Sequence, residues 1–490
     1  MKTGTKLSFH LENLLRQKCR QFGVINYLRP LLHACFVPET KTKKMKKLLT
    51  MALAAASLTT ATAQPSKAKL DSLMDFYDKE YHFNGVAFIS WKGEILLNKG
   101  FGYRDVENQV RNDEQTVFMI GSNTKQFTAE VILMLVKENK MAFEDKLSKY
   151  FPEYPQGDKI TINNLLTHTS GIYNYTEDTS WQAKPVQSRN RETMMALFEN
   201  KPLLFAPGEK FEYSNSNYML LGYIIEKITG QKYEQVVRDR ILTPLGMTHS
   251  GFDYVHLHDT NKASGYYTIQ GDLHNPAPVS DSTVLFAAGG LYSNAADLFK
   301  WHNALGNYTL LPKEWQEKAF VPFKHKYGYG WMIDTVFGRR SIGHTGGVPG
   351  FYTYETRIPE DDVCILLLQN CELPAMDNNT ICINIMKAIY KKDYKLPEPK
   401  KEVAVGAEIL KQYAGVYQVM PGFTITISVK ENELYAQGTD QDEFVIKAES
   451  EAKFYSKTIG AGIEFKKDDS GKVKQLILTQ GGQKIPASRI

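Results

Sequence analysis

Four consecutive residues, Ser122-Asn123-Thr124-Lys125, place a hydroxyl and an amine where they could act together. Residues three apart on a helix face the same side, with Cβ atoms about 5–6 Å apart. A lysine in that position can take the serine proton or stabilise the alkoxide, and a helix N-terminus favours negative charge on the oxygen. Because a free serine hydroxyl is a poor nucleophile, this spacing is typical of an activated serine.

The same spacing occurs twice more, so its context has to distinguish the three copies. Ser66 with Lys69 lies beside a predicted cleavage site, and Ser450 with Lys453 lies in a β-rich segment. Only Ser122 opens a long amphipathic pattern after an apolar, strand-like segment. The alternative for Ser122 is an N-cap serine followed by an exposed lysine.

Tyr213-Ser214-Asn215 is a second candidate. A tyrosine beside a nucleophile can transfer protons if cations lower its pKa, and an asparagine can hold a lysine and a substrate amide at once. The same tripeptide recurs at 292–294, where Asn294 precedes a helical pattern and is interpreted as a helix cap. A helical pattern also follows Asn215, so spacing alone leaves both interpretations of Tyr213 open.

His344-Thr345-Gly346-Gly347 ends a strand pattern with small residues, and a turn is expected at Gly346-Gly347. A strand edge of this kind can pair with an extended substrate. The backbone N–H after the turn can serve an oxyanion hole. Alone, this motif is weak evidence, since polar residues at strand ends usually have no chemical role.

Together and in this order, the three motifs resemble the serine β-lactamase and penicillin-binding protein superfamily. More narrowly, the chain resembles the class C-type β-lactamase-related family, which includes D-Ala-D-Ala carboxypeptidases, D-aminopeptidases and esterases. The resemblance extends over roughly residues 70–390. Further segments that carry it are 120–128, 165–171, 207–211, 244–247 and 288–291.

The resemblance implies a role for each motif residue. Ser122 would be the acylated nucleophile, and Lys125 would assist its deprotonation. Tyr213 would pass protons to the leaving group and from the hydrolytic water. His168, in the Leu-Leu-Thr-His segment, is given no chemical role and is interpreted as structural.

Substrate binding would fall to the remaining motif residues. Asn215 would hold the substrate amide. The strand residues His344, Thr345, Gly346 and Gly347 would line the substrate, and the N–H of Gly347 would form the oxyanion hole together with that of the nucleophile.

His344 replaces the lysine of the lactamase version of the third motif. Lysine is a permanent cation that can anchor a carboxylate, whereas histidine is mostly neutral at pH 7. The histidine version resembles the D-peptidase and esterase branches more closely. The sequence therefore predicts a serine hydrolase that acts through an acyl-serine on a D-amino-acid peptide, amide or ester. The alternatives are a class C-type β-lactamase and a non-catalytic penicillin- or peptidoglycan-binding protein on the same fold.

Hydrophobic periodicity predicts the elements that must position these residues. Strands at both ends of the domain, with helices between them, favour a single antiparallel sheet shared by the first and last segments. The resemblance adds a β-lactamase-like α+β fold, with helices on the sheet, a mostly helical lobe and the site between them. Helices are predicted at 70–81, 122–137, 217–228, 294–305 and 380–390, and strands at 86–91, 94–101, 340–346, 352–358 and 363–368.

Composition divides the chain into five parts. Residues 64–390 form the predicted hydrolase domain, 391–407 a lysine- and proline-rich linker, and 408–490 a small all-β, barrel-like module. Residues 45–63 combine a charged start, a short apolar stretch and Ala61-Thr62-Ala63, which is the pattern of a secretory signal peptide. Because a signal peptide should begin a chain, residues 1–44 are interpreted as a wrongly assigned extension. The protein is expected to be exported, to the periplasm or outside the cell.

The net charge supports this division. The chain carries 59 basic and 54 acidic residues, a net charge of +5. Residues 1–63 hold 11 of the basic and 2 of the acidic residues, so the remaining 427 residues carry 48 and 52, a net charge of −4. No basic cluster remains that would suggest nucleic-acid binding.

The remaining predictions concern partners and cofactors. No metal motif, cofactor motif or transmembrane anchor is predicted, and the expected partner is a small-molecule or peptide substrate, with cell-wall peptide as a candidate. Three cysteines remain after the leader, so at least one is unpaired, and Cys364 is expected to be a buried apolar residue. The oligomeric state stays open.

N-terminal sequencing of the exported protein is expected to find Gln64 as the first residue, because cleavage follows Ala63 in the signal-peptide pattern. A mature chain that retained residues before Met45 would contradict this prediction.

Overall fold

The computed structural model describes residues 65–490 apart from 271–272, 373–376, 397–401, 421, 440, 442, 457–460 and 481–482. The predicted extension at 1–44 and the predicted signal peptide at 45–63 lie outside the described residues.

A six-stranded antiparallel sheet with the order β2-β1-β12-β11-β10-β9 organises the hydrolase segment. Its first strand pairs with its last, from Gly85 opposite Gln369 to Trp91 opposite Val363, as the sequence predicted. The six strands are β1 (Gly85–Trp91), β2 (Glu94–Phe101), β9 (Met332–Val336), β10 (Arg339–Val348), β11 (Phe351–Ile358) and β12 (Val363–Gln369). Three short antiparallel pairs accompany the sheet: β3 (Tyr103–Asp105) with β4 (Val110–Arg111), β5 (Phe118–Met119) with β8 (Tyr292–Ser293), and β6 (Tyr266–Gln270) with β7 (Leu273–Pro276).

Helices cover both faces of the sheet. The predicted helices are all present, within a few residues of their expected ends. In chain order the helices of the hydrolase segment are α1 (Lys67–Tyr81), α2 (Thr124–Lys137), α3 (Leu147–Tyr150), α4 (Ile162–Leu166), α5 (Thr179–Gln182), α6 (Arg191–Ala196), α7 (Asn215–Thr229), α8 (Tyr233–Val237), α9 (Ser282–Gly289), α10 (Ala295–Gly306), α11 (Lys313–Ala319) and α12 (Asn378–Ile389).

Two hydrophobic cores lie on opposite faces of the sheet because successive side chains of a strand alternate in direction. In β1, Val86 and Phe88 face the core shared with α2 and α7, whereas Ala87 and Ile89 face the core shared with α1 and α12. The central strands are therefore apolar at almost every position, and the prediction that Cys364 is buried is confirmed.

The prediction of a turn at Gly346-Gly347 is wrong. Both glycines lie inside β10, and the hairpin turns at 349–350, where Gly350 has φ +82°. Gly346 serves close packing instead: a methyl group on it would overlap the Ile120 carbonyl oxygen and lie 2.5 Å from Thr353 Oγ1. A Gly-Gly pair favours turns locally, but here a tertiary contact determines the residue type.

The C-terminal module is a closed, eight-stranded antiparallel barrel, which confirms the predicted fold class. Its interior is filled by side chains such as Leu434, Ile463 and Leu476. The strands are β13 (Gly415–Met420), β14 (Phe423–Lys430), β15 (Glu433–Gly438), β16 (Phe444–Ala448), β17 (Lys453–Ser456), β18 (Ala461–Lys467), β19 (Val473–Gln480) and β20 (Gln483–Arg489).

The interpretation of 408–490 as all-β missed one helix, α13 (Ala407–Tyr413), which precedes the barrel. Leu410 and Tyr413, three residues apart, both face the barrel core, and Tyr413 stacks on Phe465 with ring centroids 4.1 Å apart. Two apolar residues in one helical turn are too short a pattern to identify a helix by periodicity.

Gly346→Ala is expected to lower the free energy of unfolding by about 1–3 kcal/mol, the usual cost of overpacking a rigid contact. Gly347→Ala is the matched control, since its nearest new neighbour would be Tyr352 Cδ2 at 3.9 Å. Urea unfolding of both variants measures the difference. Equal stability of the two variants would show that close packing does not require glycine at position 346.

Candidate active site

Ser122 sits at the junction between a short strand and a helix. Gly121, with φ +53°, turns the chain out of β5 into a 3₁₀ turn over Gly121–Asn123, and α2 begins at Thr124. Thr124 Oγ1 donates to the Gly121 carbonyl at 2.7 Å and accepts from the Leu291 N–H at 3.0 Å. This sharp turn leaves Ser122 half-buried at the surface of an otherwise buried segment.

Lys125 is completely buried, and its amine has three oxygen neighbours. Lys125 Nζ lies 3.0 Å from Ser122 Oγ, 2.8 Å from Asn215 Oδ1 and 2.7 Å from the Ala288 carbonyl oxygen. Burial penalises the ammonium form and holds the pKa of Lys125 well below its usual value. The amine therefore has access to its neutral form, in which it can accept a proton.

The Ala288 carbonyl reaches Lys125 because of a break in α9. Phe286 has φ +38° and ψ −131°, a strained conformation for a residue other than glycine. The kink directs two successive carbonyl groups at α2, where Thr128 Oγ1 donates to Ala287 at 2.7 Å and Lys125 donates to Ala288. In the sequence, the segment 288–291 contributes only to the family resemblance, since a backbone acceptor carries no side-chain signal.

Asn215 begins α7 and is oriented by Asn174, a residue that the sequence analysis missed. The Asn215 backbone N–H donates to Asn174 Oδ1 at 3.0 Å, and its side-chain amide lies 3.4 Å from the same oxygen. With its amide facing Asn174, Asn215 presents Oδ1 to Lys125. Asn174 lies three residues beyond the motif that ends at Gly171, which was the one available signal.

Tyr213 lies over the Lys125 amine, with Nζ 5.0 Å from the ring centroid, and its hydroxyl is hydrogen-bonded to the Ser122 side chain. A proton-transfer role for Tyr213 was expected to need nearby cations that lower its pKa. The structure shows the opposite direction, because desolvation raises the pKa of Tyr213 and only the Ser122 hydrogen bond opposes this. Tyr213 is therefore a protonated phenol that can donate to Ser122 Oγ.

His344 is 4% exposed, and both of its ring nitrogens are engaged. Nδ1 lies 2.6 Å from the Thr345 carbonyl oxygen, which can only accept, so Nδ1 carries the proton. Nε2, 3.0 Å from Tyr327 Oη, then accepts from the phenol. Burial, reinforced by the nearby Lys125, lowers the pKa of His344 to about 3, so the residue is neutral at pH 7.

His168 lies directly behind Tyr213, with ring centroids 4.3 Å apart. Its Nδ1 accepts the Ser214 backbone N–H at 3.2 Å and is also 3.2 Å from Asn217 Nδ2. The ring therefore supports both the backbone and the side chain of the Tyr-Ser-Asn motif. Burial holds its pKa well below the usual value, with smaller contributions from Lys125 and His344.

Strand β10 extends past its neighbour β9 at the site. Pairing with β9 ends at Gly343 opposite Met332, while β11 continues to pair through Val348. Because side chains alternate along a strand, Thr345 and Gly347 share one face of β10, and both are more exposed than His344 and Gly346. Gly121 and Gly347 are in close contact, since a methyl on Gly121 would lie 2.8 Å from the Gly347 nitrogen. The structure thus brings Gly347 to the turn that carries Ser122.

The other copies of the motifs lie elsewhere and have capping roles. Ser66 Oγ accepts the Lys69 N–H as the N-cap of α1, and Ser450 Oγ accepts the Lys453 N–H in a turn of the barrel. Asn294 caps α10 by accepting the Asp297 N–H at 2.9 Å, as predicted.

Among the described residues, no group of three or more His, Cys, Asp and Glu side chains could hold a metal ion. In the same part of the chain, no helix is both long and apolar enough to cross a membrane.

The model of the β-lactamase family matches residues 69–386, more than half of the chain. The chain belongs to the β-lactamase family. A second model, of a domain of unknown function (DUF3471), matches residues 399–488. The protein is accordingly a serine hydrolase of the β-lactamase and penicillin-binding protein type, and its predicted fold and family are confirmed.

Three relatives illustrate the range of this family. PbpX of Bacillus subtilis (strain 168), whose name describes it provisionally as a penicillin-binding protein, is 33% identical to this chain. The match covers 60% of this chain and 73% of PbpX. The structure of an octameric penicillin-binding protein homologue from Pyrococcus abyssi is 28% identical, with a TM-score of 0.59, over 86% of this chain and 99% of that one. A D-stereospecific amidohydrolase from Streptomyces sp. is 25% identical, with a TM-score of 0.54, over 62% and 93%.

Acid is expected to destabilise the protein partly through His344. The folded state keeps this ring neutral to about pH 3, whereas the unfolded chain binds a proton near pH 6.5. Its contribution to stability is therefore present above about pH 6.5 and is lost as the pH falls, by up to about 1.4 kcal/mol per pH unit. Buried Glu130 and Glu355, whose pKa values are raised to about 7 by burial, act in the opposite direction.

Because Glu130 and Glu355 oppose His344, the contribution of His344 is measured as a difference in stability between variants. Urea unfolding between pH 4 and 7 should give a shallower loss of stability for His344→Gln than for the unchanged protein. His256→Gln, at an exposed histidine paired with Asp253, is the control and should keep the original slope. Identical slopes for all three proteins would contradict the assignment of a neutral, buried His344.

Proposed function

We propose that the protein is an exported hydrolase that acylates Ser122 and acts on a D-amino-acid peptide, amide or ester. The observation that supports this proposal most directly is the buried Lys125 amine with its three oxygen neighbours. A neutral amine has two N–H donors and one lone pair. Two of the neighbours, the Asn215 amide oxygen and the Ala288 carbonyl, can only accept, so the lone pair is left for the Ser122 hydroxyl proton.

Acylation follows from this arrangement. Ser122 Oγ attacks the substrate carbonyl carbon while its proton passes to Lys125 Nζ. The substrate oxygen becomes an oxyanion, which the N–H groups of Ser122 and Gly347 stabilise. The Lys125 ammonium is formed only as negative charge develops beside it, which offsets the cost of a buried cation.

The leaving group needs a proton, and Tyr213 is the residue in a position to give it. Its raised pKa keeps the phenol protonated, so it acts as an acid, and the proton now held on Lys125 replaces the one it loses. The acyl-serine and the free amine or alcohol result. Water then attacks the ester with the same groups acting in reverse, releasing the acid and restoring Ser122.

The neutral His344 in the His-Thr-Gly motif favours substrates that do not need a cation at this position. His344 has no free donor toward the substrate, since its proton is used by Thr345 and its lone pair by Tyr327. A free carboxylate beside the scissile bond, as in a β-lactam or a C-terminal D-residue, has no fixed cation here. The similarity to a D-stereospecific amidohydrolase supports an amide or ester of a D-amino acid.

Export is part of the proposal and is supported by the signal-peptide pattern at 45–63. An exported hydrolase of this chemistry would encounter D-amino acids in cell-wall peptide, the candidate natural substrate.

A fluorophosphonate is expected to label Ser122, as measured by mass spectrometry of the digested protein, because Lys125 activates this serine alone. Ser122→Ala should abolish labelling, whereas Ser450→Ala, which removes the serine of another S-x-x-K, should not change it.

A parallel exposure to a penicillin separates the alternatives. A slowly hydrolysed adduct at Ser122, with faster turnover of a D-amino-acid amide, supports the proposal. Rapid penicillin turnover would instead identify a β-lactamase. An absence of labelling by both reagents would favour the non-catalytic binding protein.

A further inference from the structure

The oxyanion hole assigned above joins two segments that are far apart in the sequence. Ser122 belongs to the turn before α2, and Gly347 belongs to β10. Their donors must lie within about 2.7–3.1 Å of one oxygen, so the distance between the turn and the strand has to be fixed. We propose that Thr353 fixes this distance and is a positioning residue for the oxyanion hole, an inference that rests on the proposed function.

Thr353 lies on β11 directly opposite Gly346 and is completely buried. Its Oγ1 lies 3.0 Å from the Ile120 carbonyl oxygen, at the entrance to the nucleophile turn. The same oxygen is 3.5 Å from the Gly346 carbonyl in β10. One hydroxyl therefore sits between the turn and the strand, at the point where Gly346 lacks a side chain.

The direction of the Thr353 hydrogen bond is determined by its neighbours. Asn123 Nδ2 is 2.7 Å from Thr353 Oγ1 and donates to it. Asn123 cannot be turned around, because its Oδ1 accepts from Gln126 Nε2 at 3.1 Å. Gln126 is fixed in turn, since its Nε2 also donates to Glu355 at 2.9 Å and its Oε1 accepts from Trp301 Nε1 at 2.9 Å.

With one lone pair of Thr353 occupied by Asn123, its single proton goes to the Ile120 carbonyl. The network of Asn123, Gln126, Glu355, Trp301 and Thr353 thus has one consistent arrangement of donors and acceptors. Within it, Thr353 is the member that ties the turn to the sheet. Loss of its hydroxyl leaves the substrate contacts in place but relaxes the spacing of the two oxyanion donors.

The test uses phenylboronic acid, which forms a tetrahedral adduct with a nucleophilic serine and places a boron-bound oxygen in the oxyanion hole. Thr353→Val keeps the shape and removes the hydroxyl. We expect it to weaken phenylboronic acid inhibition by about 10–100-fold and to lower kcat for a p-nitrophenyl ester by a similar factor, less than the loss of an entire oxyanion donor. KM should change by less than about threefold, because ground-state contacts are retained.

The chain supplies a matched control on the same strand. Thr356 is also buried, and its Oγ1 lies 2.8 Å from Ser341 Oγ. Thr356→Val removes an equivalent buried hydroxyl and should lower the melting temperature without changing boronate affinity. Thr353→Ser restores the hydroxyl and should recover boronate affinity to within about threefold. If Thr353→Val does not fold, Thr353→Ala gives the same comparison without a branched side chain.

Failure of the Thr353 inference can be distinguished from failure of the proposed function. If the unchanged protein is inhibited but the folded Thr353 variants bind the boronate as tightly as it does, the inference is wrong and the proposed function stands. Equal loss of affinity in Thr356→Val would also overturn the inference, since a general structural effect would then explain it. If the unchanged protein neither binds the boronate nor is labelled at Ser122, the proposed function fails and the inference fails with it.

Discussion

The burial of one amine determines most of what surrounds it. Lys125 has no exposed surface, so its charged form is costly, and its N–H donors have to find oxygen acceptors inside the protein. That requirement explains why α7 begins with an asparagine held by Asn174, and why α9 accepts a strained Phe286 to present a carbonyl. Strain in α9 and order in α7 are thus consequences of a single desolvated group.

A second constraint is the direct contact of two backbones. The nucleophile turn and β10 approach so closely that Gly121 and Gly346 have no room for side chains. Thr353 and Asn123 satisfy the carbonyl group of Ile120 that this approach buries. The polar network below Ser122 therefore compensates for the backbone groups that are buried where the turn and the strand meet.

Local periodicity predicted the elements well, because the spacing of Leu70, Leu73 and Tyr77, or the alternation in β1, is decided within a few residues. The serine–lysine pair was visible for the same reason, since both residues lie on one turn. The Gly346-Gly347 pair gave a wrong prediction because Gly346 is required by its contact with Ile120, more than two hundred residues earlier. Ala288, Asn174 and Thr353 were missed because their importance lies in contacts between distant segments.

The pairing of β1 with β12 has a consequence for the order of events during synthesis. Strand β10, which carries His344 to Gly347, comes into one sheet with β1 and β2 only when residues 363–369 add the strand between β1 and β11. Such long-range pairing is slow to form. A nascent chain can thus contain Ser122, Lys125 and Tyr213 before the strand that carries Gly347 has joined the sheet, so Ser122 leaves the ribosome long before the candidate site around it is complete.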